Sequence, residues 1–275
     1  MHTYRYVILG GGMVAGYAAK EFAEHGVKPG ELCIVSNEAA APYERPPLSK
    51  DFLAGKVQPD EILINDEPFY RKHGIELRLS TPIAAVEFAD KHLRTETNEV
   101  IRYEKLLIAT GARVRTLAIP GADLNGVFYL RSLDDAQRLR QDAARVQRAV
   151  VIGGGYIGLE VSAVLAQQGL STTVVLSGET LLPRLFTPQM SAFFRRYYEE
   201  RGVTFVPNAK ASALQGSGRV ESVVLDSGQE LPADLVVAGI GVAPQTALFE
   251  SSGLRLEQGI AVNEYLETNL PDVYA

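Results

Sequence analysis

Apolar positions along the chain fall into two alternating patterns. Tyr4 to Leu9 is a short, nearly continuous apolar run, the pattern of a strand buried on both faces, and it enters Gly10-Gly11-Gly12-Met13-Val14-Ala15-Gly16. Beyond it Ala15, Ala18, Ala19 and Phe22 recur at helical spacing, Gly26 supplies a C-terminal stop, and Leu32 to Val35 form a second strand. The same grammar returns later. A strand over Ala149 to Ile152 enters Gly153-Gly154-Gly155-Tyr156-Ile157-Gly158, and a helix follows with Ile157, Val161, Val164 and Leu165 on one face. That helix stops at Gly169 and leads to a strand over Thr173 to Leu176.

Both copies predict β-turn-helix-β units, which build parallel sheets with right-handed crossovers. The echo extends further. Strand-rich, turn-punctuated stretches run from about Thr81 to Tyr103 and from about Ala209 to Leu231. Each leads to an apolar strand ending in glycine, Leu106-Leu107-Ile108-Ala109-Thr110-Gly111 and Leu235-Val236-Val237-Ala238-Gly239-Ile240-Gly241. The repeat is far longer than the roughly 20–50 residues of a solenoid, so it duplicates a whole domain. Proline, glycine and charge gather at Arg113 to Pro120 and place a boundary there.

Composition narrows the class. The chain has 275 residues, 46% hydrophobic and 22% charged, with a net charge of −6, which fits two globular domains and argues against disorder. Its 27 basic residues against 33 acidic form no basic footprint, so no nucleic-acid partner is expected. No apolar run approaches the roughly 18 residues of a membrane span. The start, Met1-His2-Thr3-Tyr4-Arg5, runs directly into a strand and leaves no room for a signal peptide. The single Cys33 excludes a disulfide framework and fits a reducing, cytoplasmic compartment.

The glycine turns carry the candidate chemistry. The first glycine of such a turn permits the bend, the second lets backbone approach a pyrophosphate, and the third lets helix and strand pack closely. The helix N-terminus then offers free N–H groups and a positive dipole end. Gly153, Gly155 and Gly158 satisfy the pattern in full, whereas the first copy has Gly10 and Gly12 with Ala15 in third place and Gly16 next. An acid near the end of the second strand should bind ribose hydroxyls, and Glu38 and Glu179 are the candidates. They lie 28 (38 − 10) and 26 (179 − 153) positions after the first glycine, beyond the nominal spacing of about 20. No arginine follows the second strand directly, which leans towards NADH over NADPH. Two dinucleotide sites in one chain suggest a flavin dinucleotide fed by a nicotinamide dinucleotide.

Only the first copy carries Ala41-Pro42-Tyr43-Glu44-Arg45-Pro46-Pro47-Leu48-Ser49-Lys50, a proline-stiffened loop in which Pro47 can open a short helix that Gly55 ends. Pro42 to Lys50 resembles the corresponding loop of FAD-dependent ferredoxin reductases and monodehydroascorbate reductases. Gly154-Gly155-Tyr156-Ile157-Gly158-Leu159-Glu160 and Pro183-Arg184-Leu185-Phe186 resemble that group as well. Gly16-Tyr17-Ala18-Ala19 and Val27-Lys28-Pro29-Gly30-Glu31-Leu32 are similar to the monodehydroascorbate reductase branch.

This resemblance covers the whole chain and implies an α/β fold of two Rossmann-like domains, each with a parallel sheet and a small antiparallel meander. The NAD domain (114–241) would be inserted into an FAD domain formed by residues 1–113 and 242–275. It implies FAD contacts from Gly10, Gly12, Met13, Val14, Ala15, Glu38, Arg45, Lys50, Ile83, Thr110, Gly111 and Arg131. It implies nicotinamide contacts from Gly153, Gly155, Tyr156, Ile157, Gly158, Glu160, Glu179, Arg184 and Gly241. One position departs: the family's ribose-binding glutamate aligns with Gly178, so NADPH stays open beside NADH.

The resemblance further implies a Lys50–Glu160 ion pair beside the flavin, favouring the negative charge that develops there. Hydride would enter the flavin and leave as single electrons, to a small molecule such as monodehydroascorbate or to an iron–sulfur protein. Thiol exchange is not expected, because Cys33 sits inside the apolar strand Leu32-Cys33-Ile34-Val35. His2, His25, His73 and His92 show no metal spacing and are expected at the surface. In the resembling family an Ala-Gly-Asp turn and a third domain, which commonly carries the dimer interface, would follow Ala275. The expectation is therefore a shortened enzyme, with a dinucleotide-binding fragment without turnover as the alternative.

Overall fold

The computed structural model describes residues 3–275, so Met1 and His2 lie outside the described residues. The chain divides into two compact units. The first comprises residues 1–45, 60–113 and 243–275, and the second comprises residues 46–59 and 114–242. The segment Pro46–Pro59, which the sequence reading places in the first domain, therefore belongs to the second unit. Its apolar residues explain this: Leu48, Phe52 and Leu53 are buried, the Arg140 guanidinium lies over the Phe52 ring, and the Gln168 side chain donates to the Leu53 carbonyl.

In the first unit β1 (Thr3–Leu9), α1 (Met13–Glu24) and β2 (Leu32–Val35) form the opening β-helix-β element. There follow α2 (Glu67–His73), β3 (Glu76–Arg78), β4 (Ile83–Glu87), β5 (His92–Thr95), β6 (Val100–Ile108) and β7 (Ala112–Val114). The strands assemble in the order β3-β2-β1-β6-β5-β4. Pairing is parallel from β3 to β6 and antiparallel from β6 to β4. The β2 run Leu-Cys-Ile-Val is buried at every position, as a parallel strand covered on both faces requires. The first helix buries Ala15, Gly16 and Ala19, with Ala18 and Phe22 packed beside them.

In the second unit β8 (Val127–Phe128) precedes α3 (Leu133–Ala143), β9 (Arg148–Ile152), α4 (Tyr156–Gln167), β10 (Ser171–Val175), α5 (Pro188–Glu199) and β11 (Val203–Val206). A meander follows: β12 (Ala211–Gln215), β13 (Ser222–Leu225) and β14 (Glu230–Pro232), then β15 (Leu235–Ala238). The parallel sheet has the order β11-β10-β9-β15-β8, and the meander pairs antiparallel as β12-β13-β14. Strand β10 begins and ends earlier than the apolar run alone predicts, because Ser171 and Thr172 pair with Arg148 and Ala149. Ile157 does not join the buried face of α4; it is 41% exposed beside Tyr156 at the first turn.

Strand β16 (Val242–Pro244) pairs with β7 in a two-stranded sheet, and β17 (Val273–Tyr274) adds to β6 in parallel. Both β1 and β9 are therefore flanked on either side by parallel strands, and the turn leaving each is a topological switch point, where open α/β sheets bind ligands.

Asp272 anchors the entry to β17. Its carboxylate accepts from Lys91 Nζ at 2.5 Å and Lys105 Nζ at 2.8 Å. Those two ammonium groups hold its carboxyl down to about 2. A carboxyl depressed below its unfolded value of about 4 stabilises the fold above that pH, and the contribution fades as pH falls towards about 2. Asp272→Asn keeps a residue tolerant of the left-handed backbone at this position (φ 62°). The melting-temperature gap between wild type and this variant is expected to be widest near neutral pH and to close between about pH 4 and pH 2. A gap independent of pH would show that the ion pairs do not set it.

Candidate functional site

Each unit presents a glycine turn at its switch point, built the same way. Gly10 has φ +127°, and a Cβ there would lie 2.1 Å from the Ala109 carbonyl oxygen. Gly153 has φ +111° and a Cβ would lie 2.5 Å from the Gly239 carbonyl oxygen. The turn after β1 thus nests on the end of β6, and the turn after β9 on the end of β15. No side chain fits in either place.

The helices that follow are α1 and α4, capped by Gly12 and Gly155 with no side chain accepting from their first N–H groups. The other α-helices among the described residues all have such an acceptor: Asp66 on α2, Ser132 on α3 and Thr187 on α5. Unmet N–H groups at a helix start take an anion or water. These two turns could hold a phosphate-bearing ligand, and at Gly155 a Cβ would have nothing within 4 Å, so the backbone is open to such an anion.

In the same unit Glu38, the candidate for ribose hydroxyls, is held by two neighbours. One carboxylate oxygen accepts from the Tyr43 hydroxyl at 2.5 Å and the other from Arg45 at 2.8 Å. Each oxygen keeps lone-pair capacity for a further donor. Arg45 lies over the Tyr43 ring and about level with Gly12, where a Cβ would stand 3.6 Å from its guanidinium. The loop Pro42–Arg45 is tied back by the Tyr17 hydroxyl, which donates to Glu44, and by Glu44 N–H to the Ile62 carbonyl. Met13, Val14 and Ala15 form the first turn of α1, with Val14 exposed and Ala15 fully buried.

The residue after Ala15 has a close approach of its own: a Cβ at Gly16 would meet Ile64 at 2.8 Å. Thr110 and Gly111 stand next to the Gly10 turn, with the Thr110 hydroxyl and the Gly111 carbonyl both bonded to Gln245 backbone. Ile83 opens β4, two residues beyond Thr81, whose N–H donates to Ser36. Lys50 and Arg131, which the resemblance gives to the flavin, lie in the second unit.

In the second unit a cavity of about 380 Å³ opens beside the turn, lined by Gly154 and Gly155, by the segment after β10 and by Leu182 to Leu185. Arg184 lines it, whereas Glu179 is exposed and does not. The Gly178 carbonyl accepts from Asn208 N–H, which ties down the turn that carries Glu179. Gly241 has φ +101° and accepts Arg115 N–H through its carbonyl; it too lies outside the cavity lining.

Glu160, in the first turn and a half of α4, has two partners at the end of one short 3₁₀ helix, Pro46–Ser49: Ser49, its last residue, and Lys50, which follows it. Its Oε1 lies 2.8 Å from Lys50 Nζ, and its Oε2 accepts the Ser49 hydroxyl at 2.5 Å. The sequence reading anticipates the lysine but not the serine, which is buried and anchors the same carboxylate. Tyr198 also faces this group: burial first, then the Glu160 charge, pushes its phenol above the ordinary value, so it stays protonated.

Cys33 is fully buried in β2, and burial, with Glu76 adding to it, pushes the thiol up to about 12. A thiol in that state is not a nucleophile at neutral pH. Among the histidines, His25 is exposed, while His73 and His92 are half-buried because the Phe69 ring covers one and β5 carries the other; His2 lies outside the described residues.

Comparison with known proteins adds to this geometry. The family model for pyridine nucleotide-disulphide oxidoreductases matches residues 4–275. Peroxisomal monodehydroascorbate reductase 1 of Arabidopsis thaliana is 42% identical, over 99% of this chain and 67% of the relative. Among solved structures, the ferredoxin reductase for the CYP199A2 system from Rhodopseudomonas palustris superposes with a TM-score of 0.91 at 34% identity, covering 98% of this chain and 67% of that one. Putidaredoxin reductase, solved in covalent complex with putidaredoxin, gives a TM-score of 0.92 at 32% identity, covering 98% and 66%. The chain thus spans about two thirds of the length of these relatives.

Proposed function

Because the chain belongs to the pyridine nucleotide-disulphide oxidoreductase family, we propose that it is an FAD-dependent NAD(P)H oxidoreductase that delivers electrons singly to an outside acceptor. The observation that carries this reading is the duplicated turn: two glycine bends at two sheet switch points, each opening a helix with no side-chain cap. In the first unit Gly10, Gly12, Met13, Val14 and Ala15 would hold the FAD pyrophosphate, and Glu38, steadied by Arg45 and Tyr43, the adenosine ribose. Ile83, Thr110 and Gly111 would line its path, with Lys50 and Arg131 as further contacts. In the second unit Gly153, Gly155, Tyr156, Ile157 and Gly158 would hold the nicotinamide cofactor's pyrophosphate, with Glu160, Glu179, Arg184 and Gly241 along its length.

When bound, FAD supplies the two-electron to one-electron conversion that a hydride donor and a single-electron acceptor need. The chain's own part is electrostatic. Lys50, fixed by Glu160 and indirectly by Ser49, offers a positive charge that favours electron-rich flavin. Glu160 keeps that ammonium oriented, together with the Pro46 carbonyl, which accepts from the same Nζ. A disulfide step has no group to run it, since Cys33 is buried as a thiol. We assign the acceptor to the class of monodehydroascorbate or an iron–sulfur protein, and the compartment to the cytoplasm, since a single buried cysteine fits a reducing environment.

The test is the visible spectrum of the purified chain reconstituted with FAD. Yellow protein bleached anaerobically by NADH or NADPH, and recoloured by ascorbyl radical or an iron–sulfur protein, is expected. Protein that takes up neither flavin nor nicotinamide dinucleotide overturns the reading.

A further inference from the structure

We propose that another cavity of the second unit, at the opposite end of its parallel sheet from the glycine turn, binds a small organic monocarboxylate, with Arg140 as the residue that takes the carboxylate. The cavity has a volume of about 510 Å³, within the range of roughly 300–1,000 Å³ that small ligands occupy. Three pieces of chain wall it: Leu53 to Gly55, the last turn of α3 with Gln147 beyond it, and Gln168 to Leu170 at the end of α4. Gln147 and Leu170 immediately precede β9 and β10, so the cavity lies at the N-terminal ends of those strands. The glycine turn opens α4 and the cavity closes it, 12 residues and about 18 Å further on. The two places do not overlap.

The lining selects both charge and body. Arg140 is half-buried, and among the described residues no carboxylate lines the cavity with it. The guanidinium lies over the Phe52 ring, 5.7 Å from its centroid, and donates to the Phe52 carbonyl at 3.5 Å. Neither partner neutralises it, and its remaining donors can take a carboxylate in bidentate fashion. Gly55 brings no side chain against this group; even a Cβ there would stand 3.8 Å from the guanidinium. Leu53, Ala143 and Leu170 are buried and form an apolar wall, which a hydrocarbon body covers and a bare inorganic anion leaves wet. Helices α3 and α4 both end here, and their negative dipole ends oppose a doubly charged phosphate more than a singly charged carboxylate. The walls are tied together, because the Gln168 side chain donates to the Leu53 carbonyl at 3.1 Å. The same segment carries Lys50 and the same helix carries Glu160, so an occupant clasps the two elements that hold that pair.

The experiment is calorimetric titration of the purified chain with hexanoate, benzoate, their uncharged amides and inorganic phosphate, repeated with Arg140→Gln and Ala144→Phe. It needs neither flavin nor turnover. Each carboxylate is expected to bind at least about 10-fold tighter than its amide, a difference of about 1.4 kcal/mol, and tighter than phosphate. Arg140→Gln should bring the acids to the level of the amides. Ala144 lines the cavity, is exposed and has helical backbone (φ −67°, ψ −9°), so a phenylalanine ring can stand there and fill the space. That variant should lose acid binding by at least about 10-fold while melting within about 2 °C of wild type. Acids and amides that bind alike overturn the proposal, as does phosphate that binds tighter than either acid. So does acid binding that survives either substitution, or a wild-type chain with no saturable acid binding up to about 10 mM. If Arg140→Gln lowers the melting temperature, Ala144→Phe alone decides where the acid binds.

Discussion

Glu160→Gln is expected to slow reduction of the bound flavin by its nicotinamide donor about 100-fold, the scale of removing one preorganised electrostatic group from a reacting centre. The substitution keeps the shape of the side chain and removes what its two oxygens do. Lys50 Nζ and Ser49 Oγ both present protons to that carboxylate. A glutamine amide can turn its oxygen to Lys50 and its NH₂ to the Ser49 hydroxyl, which accepts, so the substitution removes the negative charge that holds the ammonium rather than the hydrogen-bond pattern. Lys50 is about half exposed (48%) and swings away once it is no longer held.

Folding should be nearly untouched by the same change, because a pair this exposed contributes about 0–1 kcal/mol. Stopped-flow measurement of flavin reduction, with the melting curve as control, separates the two effects. Ser49→Ala should slow the same step less, by roughly 3- to 10-fold, since Lys50 retains its partner. A Glu160→Gln enzyme reduced at the wild-type rate would remove the pair from the mechanism.

How much of this arrangement could be read from the sequence depends on whether a feature is local. The glycine turns, the strands entering them and the apolar faces of α1 and α4 are local, because periodicity and backbone sterics act over a few residues. The allocation of Pro46–Pro59 to the second unit is not local. It depends on Leu48, Phe52 and Leu53 finding Arg140 and Gln168 roughly a hundred residues away. Ser49 escaped notice for the same reason: a serine in a proline-rich loop has no pattern of its own, and only the fold brings it to Glu160. Glu179 has the same difficulty: its 26 positions after Gly153 exceed the nominal spacing of about 20, and the course of its loop depends on the distant Asn208, whose N–H bonds the Gly178 carbonyl.

Gly158→Ala and Gly155→Ala are expected to fail in different ways, although both alter one motif by one methyl group. A Cβ at Gly158 would sit 2.0 Å from the Gly153 carbonyl oxygen and 3.4 Å from Val151. Both the helix and the turn are backbone there, and neither can yield without lifting α4 off β9. Overpacking of this kind costs about 3 kcal/mol, which lowers the melting temperature by roughly 6–12 °C in a chain of this size. Gly155 has φ −78° and ψ −178°, which alanine adopts freely, and a Cβ would meet nothing.

Gly155→Ala should therefore melt within about 0.5 kcal/mol of wild type. Its methyl group occupies the space through which a pyrophosphate reaches the uncapped N–H groups of α4, so dinucleotide affinity should drop by at least about 10-fold, or about 1.4 kcal/mol. Differential scanning calorimetry and titration with NADPH distinguish the two variants. If Gly155→Ala bound the dinucleotide as wild type does, the phosphate would not enter at the helix start. If Gly158→Ala melted as wild type does, the close approach of α4 to its turn would not be a constraint on the fold.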